Sequence, residues 1–310
     1  MALWNQYHLP TTVDEAVSLL TRYAGQARVV AGGTDLLLEL QQGRRPPVGA
    51  LVDVTRVGEM TRIEEADGYV YVGAAVTHTA IVAAPLLAQQ ATCLVESCGV
   101  IGGPQVRNVA TLGGNVAHGL PAGDGTLSLV ALEAEAEIAE CGMKNEELRS
   151  ERHWHPIGSL FKGPGESAVD PTREVIVRFR FRPTGPYEAT AFKRIMRPQG
   201  VALPILGMAV WLRLNDTIVD EVRIALGPAG PTPLRTRKAE TYLTGIPLVE
   251  DVIPQVADLI VAEARLRTSK HRATDEYRRA LIEVLVRRAL LLAEHRARSG
   301  EIAPEGVGLG

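Results

Sequence analysis

The chain has 310 residues, of which 46% are hydrophobic and 22% are charged. At one domain per ~150 residues, this length predicts two domains with a sizeable core and excludes a disordered chain. The 33 Lys and Arg residues against 36 Asp and Glu residues leave a net charge of -3, and aromatic residues make up only 5%. The chain therefore lacks both the positive field and the stacking surface that nucleic-acid binding requires.

The composition also argues against a membrane protein and a secreted protein. No stretch of ~18 apolar residues is present, so we expect no membrane span. The N-terminus lacks the basic and apolar regions of a secretory signal. The three cysteines are too few for a disulfide framework or for the four thiolates of an iron–sulfur cluster. We therefore expect a cytoplasmic protein whose cysteines are small buried residues.

Helix and strand signals alternate along the first part of the chain. Thr12 and Glu15 form a capping-box pattern, which predicts a helix that ends at Gly25. Short strands are predicted at 28–30, 50–54 and 69–73, and a helix is predicted after residue 79.

Residues 99–125 are unusually rich in glycine. The eight glycines are Gly99, Gly102, Gly103, Gly113, Gly114, Gly119, Gly123 and Gly125. So many permissive backbone positions are typical either of a chain that folds closely around a ligand or of a series of ordinary turns.

The second half of the chain predicts strands first and helices afterwards. Strands are expected at 134–139 and 175–181, and the turn residues at 183–186 mark a domain boundary. Further strands near 189–193, 208–214 and 222–226 precede helices near 251–266 and 274–297. This order favours an α+β second domain.

Two Gly-Gly turns are the strongest candidates for a binding site. One is Val30-Ala31-Gly32-Gly33-Thr34-Asp35-Leu36 and the other is Thr111-Leu112-Gly113-Gly114-Asn115. Glycines let successive backbone N–H groups converge on a phosphate, so two such turns could embrace a dinucleotide. Asp124 could bond a ribose hydroxyl, or it could cap a turn or helix. Neither the Rossmann fingerprint nor a Walker A sequence occurs.

Catalytic side chains are not evident. No nucleophile–base pair or pair of carboxylates stands out, so we predict no catalytic residue on this chain. His153-Trp154-His155 could supply at most two metal ligands. We interpret that segment as an exposed loop and predict no metal site.

The ordered set of motifs resembles the FAD-binding (medium) subunit of molybdenum hydroxylases. This is the family of the carbon monoxide dehydrogenase, nicotinate dehydrogenase and xanthine dehydrogenase flavoproteins. Besides the two Gly-Gly turns, segments 103–108, 160–163, 174–176, 191–197 and 225–233 resemble family segments in the same order. The resemblance covers residues 4 to 297.

The resemblance implies an α+β fold. A FAD-binding domain of the vanillyl-alcohol-oxidase/MurB type is expected at 1–182, with subdomains at about 1–57 and 58–182. A smaller α+β C-terminal domain with a three-stranded sheet and helices is expected at 183–298. Residues 299–310 are expected to form a flexible tail.

The resemblance also implies non-covalent FAD and the residues that bind it. Backbone N–H groups of 29–36 should wrap the pyrophosphate, a second cradle should follow at 111–115, and an aspartate should bond the adenosine half or its neighbouring loop. Residues 101 and 102 should line the adenine end, residues 175 and 176 should add backbone or apolar contact, and a lysine should approach the flavin, where a cation stabilises the reduced form. The expected FAD-binding residues are Val29, Val30, Ala31, Gly32, Gly33, Thr34, Asp35, Leu36, Ile101, Gly102, Thr111, Gly113, Gly114, Asn115, Asp124, Val175, Ile176 and Lys193.

Function follows from the same resemblance. The chain is expected to be an oxidoreductase subunit that carries electrons in a heterotrimer, and two heterotrimers are expected to form a dimer. Molybdopterin is expected on a large partner subunit and two [2Fe–2S] clusters on a small one. The expected acceptor is NAD, a quinone, oxygen or another molecule. The alternatives are a stand-alone flavin oxidase of the same superfamily and a flavin-free assembly module.

Two features depart from the family pattern. Members often carry an acidic residue shortly after the segment 191–197, and here residues 198–204 contain none. The four-cysteine insertion of the 4-hydroxybenzoyl-CoA reductases is also missing, which argues against that branch.

Overall fold

The structure, a computed structural model, describes residues 2–144, 147–197, 203–270 and 272–306. The strands are β1 (Trp4–His8), β2 (Ala27–Val30), β3 (Val48–Asp53), β4 (Ile63–Ala66), β5 (Tyr69–Gly73), β6 (Glu135–Lys144), β7 (Glu147–Pro156), β8 (Phe161–Gly163), β9 (Glu166–Ser167), β10 (Glu174–Phe181), β11 (Glu188–Met196), β12 (Pro204–Asn215), β13 (Ile218–Gly227) and β14 (Leu234–Arg235). The helices are α1 (Val13–Arg22), α2 (Leu36–Gln41), α3 (His78–Val82), α4 (Pro85–Gln90), α5 (Thr92–Gly99), α6 (Pro104–Arg107), α7 (Leu112–Ala117), α8 (Asp124–Ala131), α9 (Arg237–Leu243), α10 (Ile253–Glu263) and α11 (Asp275–Ser299).

A small parallel sheet forms the N-terminal part of the fold, with strand order β1-β3-β2. Helix α1 begins as its capping signal predicts, because the Thr12 hydroxyl accepts a hydrogen bond from the Glu15 backbone N–H at 3.2 Å. The Glu15 carboxylate accepts in turn from the Thr11 N–H at 2.8 Å. Strand β2 then leads directly into the first Gly-Gly turn.

A five-stranded antiparallel sheet follows, with order β4-β5-β10-β6-β7. The segment His153-Trp154-His155 lies in β7, so our interpretation of it as a loop is wrong. The strand is polar and carries no apolar alternation, and its pairing with β6 keeps it extended. The Trp154 ring also lies under the Arg180 guanidinium, 4.0 Å from its centroid.

The glycine-rich segment is a chain of short helices rather than one long loop. Helices α6 and α7 and the start of α8 all fall within residues 99–125. An isolated bridge between Thr77 and Thr111 ties the segment to the start of α3.

The C-terminal part contains an antiparallel sheet of order β11-β12-β13-β14, covered by α9, α10 and α11. Three of the strands are long, and the fourth, β14, adds two residues at the edge. The α+β prediction is confirmed, with this short strand as an addition. The two faces of the sheet contribute to different hydrophobic cores. Trp211 belongs to the core of the N-terminal part, and Val210 belongs to the core around α10 and α11.

The segment after α11, which the sequence predicts to be a flexible tail, contacts the rest of the protein. Its Ala303 carbonyl accepts a hydrogen bond from Arg296 at 2.7 Å, and its Glu305 N–H donates to Glu96 at 2.8 Å. These two contacts involve Ala303 and Glu305, within the described part of the tail. No helix among the described residues is long and apolar enough to cross a membrane.

Candidate functional site

A cleft of about 440 Å³ lies between the two Gly-Gly turns and extends to the C-terminal sheet. It is lined by the loop between β2 and α2, by residues of α7 and α8, and by Arg194, Pro204 and Arg272 from the C-terminal part. Fourteen of the sequence-predicted site residues line it: Val29, Val30, Ala31, Gly32, Gly33, Thr34, Asp35, Leu36, Ile101, Gly102, Thr111, Gly114, Asn115 and Asp124.

The first Gly-Gly turn presents free backbone donors to this cleft. Within the described residues, the N–H groups of Gly32, Gly33 and Thr34 donate no hydrogen bond. Gly33 has φ +67°, a conformation that glycine adopts without strain. The loop can therefore offer several converging donors to an anion.

Gly32 is required for a different reason, the close approach of two loops. A Cβ atom at Gly32 would lie 2.1 Å from the Val109 carbonyl oxygen and 2.7 Å from the Ala110 Cα. No other residue type fits this space without backbone movement. The contact joins the first Gly-Gly turn to the chain that enters the second.

The backbone N–H groups of the second Gly-Gly turn donate hydrogen bonds mainly within the protein. The Thr111 hydroxyl accepts from the Gly114 N–H at 3.1 Å, and the Gly113 N–H donates to the Ala74 carbonyl at 2.8 Å. Gly113 does not line the cleft, because it packs on Ala74, 2.6 Å from where its Cβ would lie. Thr111, Gly114 and Asn115 face the cleft, so this turn shapes the wall more than it offers N–H donors.

Asp124 lies at the start of α8 and is almost completely buried at the cleft wall. Its Oδ2 accepts a hydrogen bond from Arg194 Nη1 at 2.6 Å, and each of the two side chains is 5% exposed. Burial raises the pKa of Asp124 to about 6, and the neighbouring Arg194 opposes that rise. Asn115 holds the same helix, since its Oδ1 accepts from the Thr126 N–H at 3.1 Å.

Lys193 does not line the cleft, although it is adjacent to Arg194 in β11. Side chains alternate between the two faces of a strand, so consecutive residues point apart. Lys193 Nζ binds the Glu305 carboxylate at 2.5 Å, and this contact lowers the pKa of Glu305. The strand instead presents Arg194 to the cleft, which Arg28, Arg45 and Arg272 also line, and the sequence reasoning did not place Arg194 in the site.

Val175 and Ile176 also lie away from the cleft lining. They belong to β10, the central strand of the five-stranded sheet, and are 1% and 7% exposed. Their environment is the hydrophobic core.

His78 is a second cleft residue that the sequence reasoning missed. It is 1% exposed, and its backbone N–H donates to the Ala110 carbonyl at 3.0 Å. Within the described residues its Nδ1 has no hydrogen-bond partner. Burial, followed by repulsion from Arg107, lowers the pKa of His78 to about 4, so the imidazole is neutral at pH 7.

Arg107 fixes one end of the cleft without lining it. Its Nη1 donates to the carbonyls of Ile101 and Gly102 at 3.2 and 3.0 Å. This holds both residues, which the sequence predicted to be in the site, at the cleft wall. Leu203 and Pro204 also line the cleft. The segment 198–202, where the family acid is missing, lies outside the described residues.

Comparison with known families and proteins gives a consistent result over nearly the whole chain. Residues 4–183 match the family described as the FAD binding domain in molybdopterin dehydrogenase, and residues 190–293 match the CO dehydrogenase flavoprotein C-terminal domain.

Individual relatives agree with these matches. The chain is 30% identical to the xanthine dehydrogenase FAD-binding subunit of Escherichia coli O157:H7, over 92% of this chain and 94% of the relative. It is 26% identical to the nicotinate dehydrogenase FAD-subunit of Eubacterium barkeri, over 85% and 89%. A solved structure of carbon monoxide dehydrogenase from Hydrogenophaga pseudoflava, which lacks the Mo-pyranopterin moiety, superposes with a TM-score of 0.85 at 29% identity, over 94% and 97%.

Proposed function

The chain belongs to the xanthine dehydrogenase/CO dehydrogenase family of FAD-binding medium subunits, and from this membership we propose that it is the electron-transfer subunit of a heterotrimeric molybdenum hydroxylase. It takes electrons from [2Fe–2S] clusters on a small partner subunit and passes them to an external acceptor. A large partner subunit with molybdopterin oxidises the substrate. The number of heterotrimers in the assembly and a cytoplasmic location stay predictions from the sequence.

The observation that supports the proposal most directly is the pair of loops that meet at Gly32. The cleft between them combines free backbone N–H groups with buried side-chain atoms that have no partner among the described residues, namely His78 Nδ1, Asp124 Oδ1 and Arg194 Nε. Buried polar atoms are normally hydrogen-bonded, so unpaired ones at a cleft indicate a polar ligand. A dinucleotide with a diphosphate and several hydroxyls has the matching groups.

We assign the residues of the cleft to this cofactor as follows. The N–H groups of Gly32, Gly33 and Thr34 bind the diphosphate, and Asp124 accepts a hydrogen bond from a hydroxyl or N–H group. FAD, when bound, supplies the redox chemistry, and the protein binds and tunes it. The neutral His78 adds a polar contact without adding charge.

The domain division is part of the same proposal. We place the FAD-binding domain at 1–182, with subdomains at about 1–57 and 58–182, and the C-terminal domain at 183–298. The family matches, which end at residue 183 and resume at residue 190, support a boundary in this region.

The absorption spectrum of the purified full-length chain tests the cofactor. We expect flavin bands either in the protein as isolated or after FAD is added and the excess is removed. A chain that retains no flavin in both states would contradict the proposal and favour a flavin-free assembly module.

Co-purification tests the electron-transfer role. Expressed with its neighbouring genes, the chain should elute with one larger subunit that contains molybdenum and one smaller subunit that contains iron and sulfide. Turnover of an alcohol by the isolated chain would instead support a stand-alone oxidase.

A further inference from the structure

The Asp124–Arg194 pair has one feature that a purely structural ion pair does not need. Its hydrogen bond uses Oδ2 and Nη1, whereas Asp124 Oδ1 has no partner among the described residues. Both residues line the cleft. Buried polar atoms are normally hydrogen-bonded, so an unpaired carboxylate oxygen at a binding cleft indicates a hydrogen-bond donor on the ligand.

Arg194 is itself held firmly, which makes the geometry of the pair rigid. It projects from β11 toward the cleft, and its Nη2 donates to the Val100 carbonyl at the end of α5. The same nitrogen lies 3.3 Å from the Met196 sulfur. The guanidinium therefore links β11, α5 and α8, and it fixes the direction in which the carboxylate faces.

Few other charges act on Asp124. Arg272, which also lines the cleft, is the second cation that favours its ionised form. From α5, the buried Cys98 thiol faces the carboxyl, and burial raises the pKa of this thiol so that it stays neutral. Arg194 is thus the main group that keeps the buried Asp124 ionised near neutral pH.

We propose that Arg194 is a positioning residue for cofactor binding, which keeps Asp124 ionised and oriented so that Oδ1 accepts a hydrogen bond from an O–H or N–H group of the bound flavin nucleotide. This inference rests on the proposed function, because it requires that the chain binds FAD. It gives a role in cofactor binding to Arg194, which lines the cleft, and not to the adjacent Lys193, which does not.

Binding measurements between pH 5 and 8.5 test the inference. The dissociation constant of FAD is measured by quenching of flavin fluorescence, with the full-length wild type and the variants Arg194→Gln, Arg194→Lys, Asp124→Asn and Lys193→Gln. Lys193→Gln is the matched control, since Lys193 is the neighbouring cation in the same strand and points to the opposite face of the sheet. Circular dichroism establishes that each variant is folded.

The expected pH dependence follows from the ionisation of Asp124. The carboxylate accepts a stronger hydrogen bond than the protonated acid, so wild-type affinity should be constant well above pH 6 and should fall as the pH drops through about 6. Without Arg194 the pKa of Asp124 rises further, and in Arg194→Gln the fall should begin about one pH unit higher or more. Affinity at pH 7 should drop about tenfold to hundredfold, as expected for a weakened charge-assisted hydrogen bond.

The other variants separate positioning from simple structural support. Arg194→Lys should restore most of the wild-type pH midpoint, Asp124→Asn should bind weakly with no fall near pH 6, and Lys193→Gln should resemble the wild type. An unchanged pH midpoint in a folded Arg194→Gln would overturn the inference while leaving FAD binding established. Failure of the wild type to bind FAD would instead overturn the proposed function.

Discussion

At Gly32 the backbone of one cleft loop lies so close to Val109 that even one added methyl group has no space. The Cβ of Gly32→Ala would be 2.1 Å from the Val109 carbonyl oxygen, so one of the two loops must move. We expect FAD affinity to fall at least about tenfold, because displaced backbone N–H groups no longer hydrogen-bond the diphosphate. Flavin content after desalting, together with titration of the apoprotein, measures the effect.

Gly58→Ala is the control for this substitution. Gly58 is also a glycine of the N-terminal part, but an added Cβ there meets nothing within 4 Å. Its flavin content should equal that of the wild type. Equal losses in both variants would show that the Gly32 effect is one of general stability and not of the cleft.

His78 gives the apoprotein a pH-dependent stability whose sign follows from its environment. Burial lowers the pKa of His78 from 6.5 to about 4. Between these two pH values the imidazole is protonated in the unfolded chain and neutral in the folded chain. The contribution of this residue to stability is complete above pH 6.5 and is lost as the pH falls toward 4. One pKa unit corresponds to about 1.4 kcal/mol, so the loss from pH 7 to pH 5 should be about 2 kcal/mol.

Urea unfolding of wild type and His78→Gln between pH 5 and pH 7.5 measures this contribution. The raised pKa of Asp124 acts in the opposite direction, but it is common to both proteins and cancels in the difference. The wild type should lose more stability on acidification than the variant. Parallel curves would mean that His78 titrates normally in the folded protein.

Among the elements, α5, β11 and α11 are joined by one buried ion pair. Glu96 and Arg296 are each 1% exposed, with Nη2 and Oε1 2.7 Å apart. Glu96 also accepts from the Phe192 N–H at 2.7 Å, and Arg296 Nη1 donates to the Thr190 carbonyl at 2.9 Å. The pair therefore connects α5 of the N-terminal part to strand β11 of the C-terminal sheet and to helix α11.

Breaking this pair from one side should be strongly destabilising. Arg296→Met leaves the Glu96 carboxylate buried without its cation, which costs about 3–5 kcal/mol of unfolding free energy. Arg287→Met is the control, because Arg287 and Glu250 pair at 3.0 Å but are 46% and 60% exposed. Its cost should stay below about 1 kcal/mol. Similar costs in the two variants, measured by denaturant unfolding, would contradict this view of the pair.

What the sequence could predict at this scale depends on whether the signal is local. Thr12 caps helix α1 where the pattern predicts, because capping needs only the next three residues. Strand β7 escaped prediction, because its extended form comes from pairing with β6 and not from its own polar sequence.

The same distinction applies to the site. Both Gly-Gly turns are local motifs, and the structure brings them together at the cleft. The choice between Lys193 and Arg194 depends on which face of β11 meets α8. That is decided by the register of β11 on β12 and by packing between distant parts of the chain, which no single segment encodes. The packing of Gly113 against Ala74 also depends on a distant part of the chain, so the Gly-Gly motif alone does not reveal it.

For the whole molecule, the C-terminal sheet is the element that couples the two halves. Phe192, Ala209 and Trp211 on one face belong to the core of the N-terminal part. Ala191 and Val210 on the other face belong to the core around α10 and α11. Loss of the sheet would expose both cores at once. We therefore expect the full-length apoprotein to unfold in one cooperative transition.

Two tryptophans make this expectation measurable, since Trp154 lies in the five-stranded sheet and Trp211 in the C-terminal sheet. In a Trp4→Phe background, which removes the third tryptophan, the further variants Trp154→Phe and Trp211→Phe each leave one tryptophan, whose fluorescence reports on its own sheet. Within each variant, the fluorescence midpoint in urea should coincide with the circular dichroism midpoint.

Saturation with FAD at 100 times its dissociation constant should raise stability by about 2.7 kcal/mol. Because the cleft draws residues from both halves, this gain should shift both probes together, and a shift seen only by Trp154 would mean that the halves unfold independently.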